Sequence, residues 1–168
     1  MKSKIVKYSI SIFLLTSLFF SISCTEDIVS IEPPNNESKI TIDQGAWGTV
    51  RFFEGDFMPV YDPETGGTIT PVVRDIYIYE ATTDDMVERD GYGGFYKSIA
   101  SELIAVVQSD QDGFFQIKLE PGKYSFFVKE DSLYYGSKSD GEGHIVSEHV
   151  FADSTTEVTL NITYLATY

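Results

Sequence analysis

The fold is decided by the stretch DQDGFFQIKLEPGKY, residues 110–124. It contains two turn signals, Asp112-Gly113 and Pro121-Gly122, and the side chains between them alternate between apolar and polar. Alternation with a period of two predicts a half-buried strand, and the Gly-containing pairs predict a chain reversal at each end. We expect Phe115, Ile117 and Leu119 to face inward and Phe114, Gln116 and Lys118 to face outward.

The same pattern of alternation and turns continues on both sides of this stretch. It predicts seven strands: Trp47–Phe53, Val72–Ala81, Leu103–Ser109, Phe114–Glu120, Lys123–Lys129, His144–Phe151 and Thr156–Tyr164. Asp84–Ser101 has room for a short helical turn only, because it contains several glycines. We therefore predict an all-β fold, a seven-stranded antiparallel β-sandwich.

Residues 110–124 resemble the central motif of carboxypeptidase regulatory-like domains, which are transthyretin-like (prealbumin-like) sandwiches. Gly48–Phe52 resembles the opening strand of these domains, and the strand with Val158, Leu160 and Ile162 resembles the closing one. The resemblance covers about Gly45 to the C-terminus. Two long insertions, Glu54–Pro71 and Thr82–Ser101, replace connections that are usually tight in this family.

The resemblance implies a non-catalytic role. In peptidases this domain accompanies a zinc hydrolase domain, which has no counterpart in the sequence, and in bacterial surface proteins similar sandwiches are spacers or assembly modules. The sequence also lacks the Gly-x-Ser-x-Gly, His-Glu-x-x-His and phosphate-loop motifs. We expect no enzyme activity, and a small hydrolase without a recognisable motif is the weaker alternative.

Composition excludes several classes of protein. The chain has 168 residues, with 12 basic and 26 acidic side chains and a formal charge of −14. A nucleic-acid-binding protein needs a basic surface, so we expect no nucleic-acid partner. The single cysteine excludes an internal disulfide and any site built from several cysteines. A hydrophobic content of 42% is too high for a disordered chain.

The first 23 residues have the pattern of a lipoprotein signal peptide. Three lysines in MKSKIVK precede an uncharged run of 18 residues, Tyr8–Thr25, which is rich in Ile, Leu and Phe. The apolar part ends at Ser21-Ile22-Ser23-Cys24, which resembles a bacterial lipobox of the Bacteroidota type, with Ser21 in place of the usual Leu. An uncleaved membrane anchor and a cysteine left over after ordinary cleavage are the alternatives.

Cys24 is the predicted lipidation site. Acyl chains such as palmitate on this residue would hold the protein in a membrane. Glu26-Asp27 resembles the surface-export signal of Bacteroidota lipoproteins, so we expect the outer membrane and its cell-surface side, with a periplasmic orientation as the alternative. The predicted organisation is a signal peptide at residues 1–23, the lipidated cysteine and a flexible tether at 24–40, and the sandwich at 41–168.

No cofactor or metal is predicted. His144 and His149 are five residues apart, so on one strand they point to opposite faces and cannot chelate one ion as a local pair. Asp110-x-Asp112-Gly113 superficially resembles the start of a calcium loop, but strand residues follow at once and the other ligand positions are missing. We interpret it as a turn.

Two aromatic loops are the candidate ligand contacts: Tyr92, Phe95 and Tyr96 in a glycine-rich segment, and Tyr134 and Tyr135 after a strand. Exposed rings suit sugars or a protein partner, and the opposite interpretation is that they fold back over the sandwich. Ser132 and Ser154 lie in Asp-Ser tripeptides that resemble O-glycosylation acceptors of Bacteroidota. The leading hypothesis is a membrane-anchored interaction module with an envelope protein or glycan partner, and the alternative is a carbohydrate-binding lipoprotein.

Overall fold

A computed structural model describes residues 35–58 and 66–168. In this part of the chain it has eleven strands: β1 (Gly45–Asp56), β2 (Thr68–Pro71), β3 (Asp75–Glu80), β4 (Val87–Arg89), β5 (Phe95–Ile99), β6 (Leu103–Gln108), β7 (Phe114–Ile117), β8 (Gly122–Glu130), β9 (Leu133–Tyr135), β10 (Ser147–Val150) and β11 (Thr155–Thr167). Two 3-10 turns, Glu37–Lys39 and Asp84–Met86, are the only helical segments of the described residues. The described residues form no helix that is long and apolar enough to cross a membrane.

The strands form two sheets that pack as a sandwich, which confirms the predicted fold class. In the smaller sheet β1 is central, with β11 along one edge and β2 and β7 sharing the other. In the larger sheet the order is β6, β3, β8, and then β9 and β10 share the far edge of β8, with β5 and β4 beyond β9.

One strand pair departs from the antiparallel arrangement. β1 and β11 run parallel, with Gly45 opposite Thr155 and Asp56 opposite Thr167. Parallel neighbours need a long connection, and here the rest of the described sandwich lies between the two strands in sequence. All seven predicted strands are present with shifted ends, and the four additional ones are β2, β4, β5 and β9.

The core lies between the inner faces of the two sheets. Completely buried side chains from both sheets meet there, among them Val50, Ile76, Ile78, Phe126 and Ile162, each at 0% exposure. Phe115 and Leu119 are also buried, as the alternation predicts. Burying one such side chain contributes about 1.5–3 kcal/mol to folding.

Two aromatic side chains on outer faces are also buried. Phe114, which we expected to face solvent, is 8% exposed, and the Nζ of Lys39 lies 5.6 Å from the centre of its ring. Phe127 is 0% exposed and packs edge-on against Tyr79 and Tyr96. Phe114 does point outward, opposite to Phe115, but it is shielded from solvent because residues ahead of β1 return over it.

The folded domain begins before residue 41. Asn36 is 3% exposed, and its Nδ2 donates to Thr49 Oγ1 at 3.0 Å and to the Asp112 carbonyl at 3.2 Å. The end of the predicted tether is therefore part of the sandwich from about Asn35. The predicted signal peptide, Cys24 and the rest of the tether lie outside the described residues.

Candidate functional site

A groove of about 430 Å³ lies beside the glycine-rich segment that precedes β5. Its walls come from this segment, from the residues after β9 and from the end of β11, and they include Gly93, Tyr96, Gly136, Lys138, Tyr164 and Tyr168. These elements are far apart in sequence. The groove therefore exists only because β5 pairs with β9 and the end of β11 lies near them.

Two glycines let the chain segments meet at the floor of the groove. The N–H of Gly136 donates to the carbonyl of Gly94 at 2.9 Å. A Cβ on Gly94, whose φ is +83°, would lie 2.8 Å from the Gly136 carbonyl oxygen, and a Cβ on Gly136 would lie 2.9 Å from Val146 Cγ2. Only glycine fits at both positions without a shift of the neighbours.

Three aromatic rings form a cluster behind the groove. Phe95 lies 5.0 Å from Tyr135 and 5.1 Å from Tyr164, and the two tyrosine rings are 5.6 Å apart. The hydroxyl of Tyr135 contacts Thr163 Oγ1 at 3.0 Å and accepts from the Thr163 N–H at 3.1 Å. This network fixes the ring of Tyr164, which is 40% exposed, at the groove wall.

An ion pair also holds Tyr164. Its hydroxyl donates to Glu130 Oε2 at 2.8 Å, and Arg74 Nε lies 2.5 Å from Glu130 Oε1. Partial burial, followed by this bond to the carboxylate, raises the pKa of Tyr164 to about 12. Glu130 is 8% exposed, so its charge needs both partners.

The five predicted contact residues do not form one exposed platform. Tyr96 and Tyr135 are each 2% exposed and pack in the sandwich, while Phe95 and Tyr134 are half-buried. Tyr92 alone among the five is fully exposed, at 102%. The structure therefore places Tyr96 and Tyr135 in the groove wall, with Phe95 packed behind Tyr135, and it places Tyr92 at the tip of the glycine-rich segment.

Tyr134 lies elsewhere, on the outer face of the larger sheet. Its ring packs edge-on against Tyr77 and Tyr79, at 5.2 and 6.0 Å between ring centres. The Nζ of Lys129 lies 3.9 Å from the centre of the Tyr134 ring. The quadrupole of an aromatic ring attracts a cation at this distance, so Lys129 already occupies the face of the Tyr134 ring.

The Asp110 loop is a turn closed by a lysine. Asp110 Oδ1 accepts the N–H groups of Asp112 and Phe114, and Lys39 Nζ lies 2.8 Å from Asp110 Oδ2 and 2.5 Å from Asp112 Oδ2. Burial would raise the pKa of Asp110, but the bonds from Lys39 and from the two N–H groups hold it below its ordinary value. The ammonium lies between the two carboxylates, where a bound cation would have to lie.

A second loop repeats this arrangement 30 residues later. Asp140 Oδ1 accepts the N–H groups of Glu142 and His144, and Lys123 Nζ lies 2.7 Å from Asp140 Oδ2 and 2.8 Å from Glu142 Oε2. The bond from Lys123 is the main reason why the pKa of Asp140 is well below its ordinary value. The second loop was not among the predicted sites, although Ser-Asp-x-Asp/Glu-Gly occurs at both 109–113 and 139–143.

Asp140, Glu142 and His144 place their ligand atoms within 4.8 Å of one another, which is the spacing of a metal site. Lys123 forms an ion pair with each of the two carboxylates, and His144 Nδ1 lies 3.0 Å from both Asp140 Oδ2 and Lys123 Nζ. These groups are hydrogen-bonded and ion-paired with one another, so the arrangement is a structural ion-pair network. His149 lies apart, with its ring against Phe151 at 5.0 Å.

Ser132 and Ser154, the predicted glycosylation residues, are both exposed. Each follows an aspartate with positive φ, 50° at Asp131 and 52° at Asp153, so each lies in a tight turn between two strands. The hydroxyls are therefore accessible. Glycosylation of either residue stays a prediction.

Comparison of the chain with protein-family models, curated proteins and solved structures finds no match. The resemblance to carboxypeptidase regulatory-like domains therefore stays a prediction.

Proposed function

We propose that the protein is a lipid-anchored lipoprotein of the bacterial outer membrane that acts at the cell surface as a non-catalytic interaction or accessory module. The basic and apolar N-terminal pattern that ends at Cys24 supports the anchor. The resemblance of residues 110–124 to carboxypeptidase regulatory-like domains supports the accessory role.

The length of the linking chain supports a position close to the membrane. Cys24 precedes Asn36, the first buried residue of the described domain, by 12 residues. A fully extended chain of this length spans about 40 Å at most. With acyl chains on Cys24, the sandwich could therefore contact only partners at or near the membrane surface.

The groove beside Tyr92 is the observation that carries the binding role. Tyr92 is fully exposed between Gly91 and Gly93, whose φ values are +68° and +99°, and the adjoining groove opens next to Gly93. A concave surface with aromatic walls and a few polar groups is the usual form of a ligand site. The groove also borders Tyr168, which is 67% exposed.

Carbohydrate binding is the second candidate, and the composition of the groove walls favours it. Tyr164 and Tyr168 offer exposed ring surface, while Ser137, Ser139 and Thr163 offer hydroxyl groups. A sugar has apolar C–H faces and hydroxyl edges, so it requires both kinds of contact. The two cations at the groove, Arg89 and Lys138, are paired with Asp84 and Glu148, which favours an uncharged sugar.

The anchor is tested with Cys24→Ala, and Thr25→Ala is the matched control. We expect Cys24→Ala to lose lipid labelling and to leave the membrane fraction, because no acyl chain can be attached, while Thr25→Ala stays membrane-bound. Metabolic labelling with an alkyne fatty acid and cell fractionation measure both. A Cys24→Ala protein that still carries lipid contradicts the proposed anchor.

Two variants test this surface: Tyr168→Ala removes a ring of the groove wall, and Tyr92→Ala removes the exposed ring next to Gly93. Phe151→Ala is the control. Phe151 is 60% exposed but does not line the groove. We expect both groove variants to lower crosslinking to a partner on intact cells, or retention on immobilised glycans, by about tenfold, while the control keeps its binding. Unchanged glycan retention in the groove variants rejects carbohydrate binding, and turnover of an ester, peptide or glycoside contradicts the non-catalytic role.

A further inference from the structure

Strand β6 is an open edge of the larger sheet in the described residues. Its sequence, LIAVVQ, has no charge, and Leu103, Ile104 and Val106 are 46%, 39% and 48% exposed. An edge strand presents unpaired backbone groups, and proteins usually protect such an edge with charge, proline, short length or a covering loop. The centre of β6 has none of these.

Several other edge strands of the described chain carry such protection. β4 has only three residues, includes Glu88 and Arg89, and contains an irregularity between them. β2 and β7 have four residues each, and β2 ends at Pro71. The residues after β9 lie over β11, where Ser137 Oγ donates to the Asn161 carbonyl at 3.5 Å. The contrast singles out β6.

The register shows which backbone groups of β6 are free. The Ser109 N–H donates to the Arg74 carbonyl, and Val107 and Ala105 pair with Ile76 and Ile78. In an antiparallel ladder, alternate residues direct their N–H and C=O toward the neighbour. Val106 and Gln108 therefore direct theirs away from β3, toward the open edge. The irregularity in the ladder falls at the other end of β6, opposite Ile78 and Tyr79.

Acidic residues lie at both ends of this edge. Glu102 precedes β6 and is exposed, while Asp75 pairs with Gln108 at the other end, and Gln108 Nε2 donates to its carboxylate at 2.8 Å. A second copy of the chain would pair antiparallel and bring acid beside acid, in a protein whose formal charge is −14. Charge complementarity instead favours an occupant with a basic residue at each end.

We propose that β6 is a docking edge that accepts an extended segment of another protein, with an apolar, β-branched centre and lysine or arginine at both ends. The segment adds a strand to the larger sheet, since backbone hydrogen bonds to Val106 and Gln108 give affinity and the flanking acids give selectivity. This inference rests on the proposed interaction module and names its partner class.

The test uses the peptide KTVTVTVK, blocked at both ends, and the protein from residue 25 without lipid. We expect measurable binding by calorimetry, and binding of ETVTVTVE that is at least about fivefold weaker, because each end exchanges an attractive charge pair for a repulsive one. Val106→Pro removes the outward N–H but no bond to β3, and we expect about tenfold weaker binding. Val106→Thr keeps the N–H and should bind within about twofold of wild type.

Amide hydrogen exchange of the wild-type protein gives a second measurement if Val106→Pro alters folding. The amides of Val106 and Gln108 should gain protection when KTVTVTVK is bound. Absence of binding, equal binding of ETVTVTVE, unchanged protection of both amides, or a β6-dependent dimer in sedimentation equilibrium overturns the inference. A Val106→Pro protein that still captures its partner on intact cells overturns the role of β6 and leaves the proposed interaction module intact.

Discussion

Replacing Asn36 by alanine tests whether the residues ahead of β1 belong to the folded domain. Asn36 is 3% exposed and donates two hydrogen bonds, to the buried Thr49 hydroxyl and to the Asp112 carbonyl. Each bond contributes about 1 kcal/mol net, and loss of the donor leaves a buried acceptor without its partner. We therefore expect Asn36→Ala to lower the free energy of unfolding by about 2 kcal/mol.

Urea unfolding of the protein from residue 25, followed by circular dichroism, measures this change. The midpoint should fall while the slope m stays constant, since the surface exposed on unfolding hardly changes. For a domain of this size, 2 kcal/mol corresponds to a decrease in Tm of about 8 °C. The double variant with Thr49→Ala should be about 1 kcal/mol less destabilised than the sum of the two single variants, because the two side chains share a hydrogen bond.

Asn35→Ala is the matched control. Asn35 is exposed, and its Oδ1 accepts only the Glu37 N–H, at 3.0 Å within the same turn. Its loss should cost less than about 1 kcal/mol. If Asn36→Ala and Asn35→Ala differ by less than about 0.5 kcal/mol, residues 35–40 do not stabilise the sandwich and the domain begins near residue 41, as the composition of this segment predicts.

Three further predictions follow from the same packing and charges. The raised pKa of Tyr164, about 12 against an ordinary 10.0, means that the unfolded chain loses this proton first. Stability should therefore be complete below pH 10 and fall as the pH rises toward 12. Thermal melts at pH 9, 10 and 11 should show a smaller loss in Tyr164→Phe, and an identical loss contradicts the assignment. The pKa of Asp140 is lowered mainly by Lys123, so its contribution is present above about pH 4 and is lost as the pH falls. Lys123→Met should flatten this acid-side loss. Lys118→Met, which removes an exposed pair with Asp43, should flatten it less, because the pKa of Asp43 is lowered first by a backbone hydrogen bond and only then by Lys118. Gly136→Ala should cost about 1–3 kcal/mol, because its Cβ would lie 2.9 Å from Val146 Cγ2 and 3.2 Å from Phe127 Cδ1. Gly141→Ala, with no atom within 4 Å of the new Cβ, should change stability by less than about 0.5 kcal/mol.

The strands that the sequence predicts are those in which the alternation of apolar and polar residues, or a turn motif, is visible within the strand and its immediate neighbours. β8 has apolar residues at every second position from Tyr124 to Val128 and begins at a Pro-Gly turn, so its neighbours in sequence suffice to identify it. β4, β5 and β9 have three, five and three residues, too few to show a period. Their strand conformation depends on pairing across long sequence separations, such as Phe95 with Tyr135. No local pattern encodes that pairing.

The groove was only partly predictable for the same reason. The two aromatic loops were identified, and the structure brings them together through the β5–β9 pair. Whether a ring faces solvent depends on what packs over it: Tyr96 is buried, whereas Tyr92, four residues earlier, is fully exposed. Asn36 shows why composition does not locate the end of the tether: its side chain is polar, and composition cannot distinguish a solvated amide from one bonded inside a fold. The repeated Ser-Asp-x-Asp/Glu-Gly motif was visible in the sequence and could have been found there.

The same burial limits where a partner can dock. A sandwich has two outer faces, and in this domain each includes a buried aromatic side chain: Phe114 beneath the Lys39 side chain and Phe127 against Tyr96. The residues that cover them come from segments outside the predicted strands, ahead of β1 and in the insertion before β6. The β6 edge and the groove next to Gly93 are two surfaces that these segments leave open. The proposed strand-like segment would use the first and the proposed small ligand the second, so separate substitutions test the two proposals.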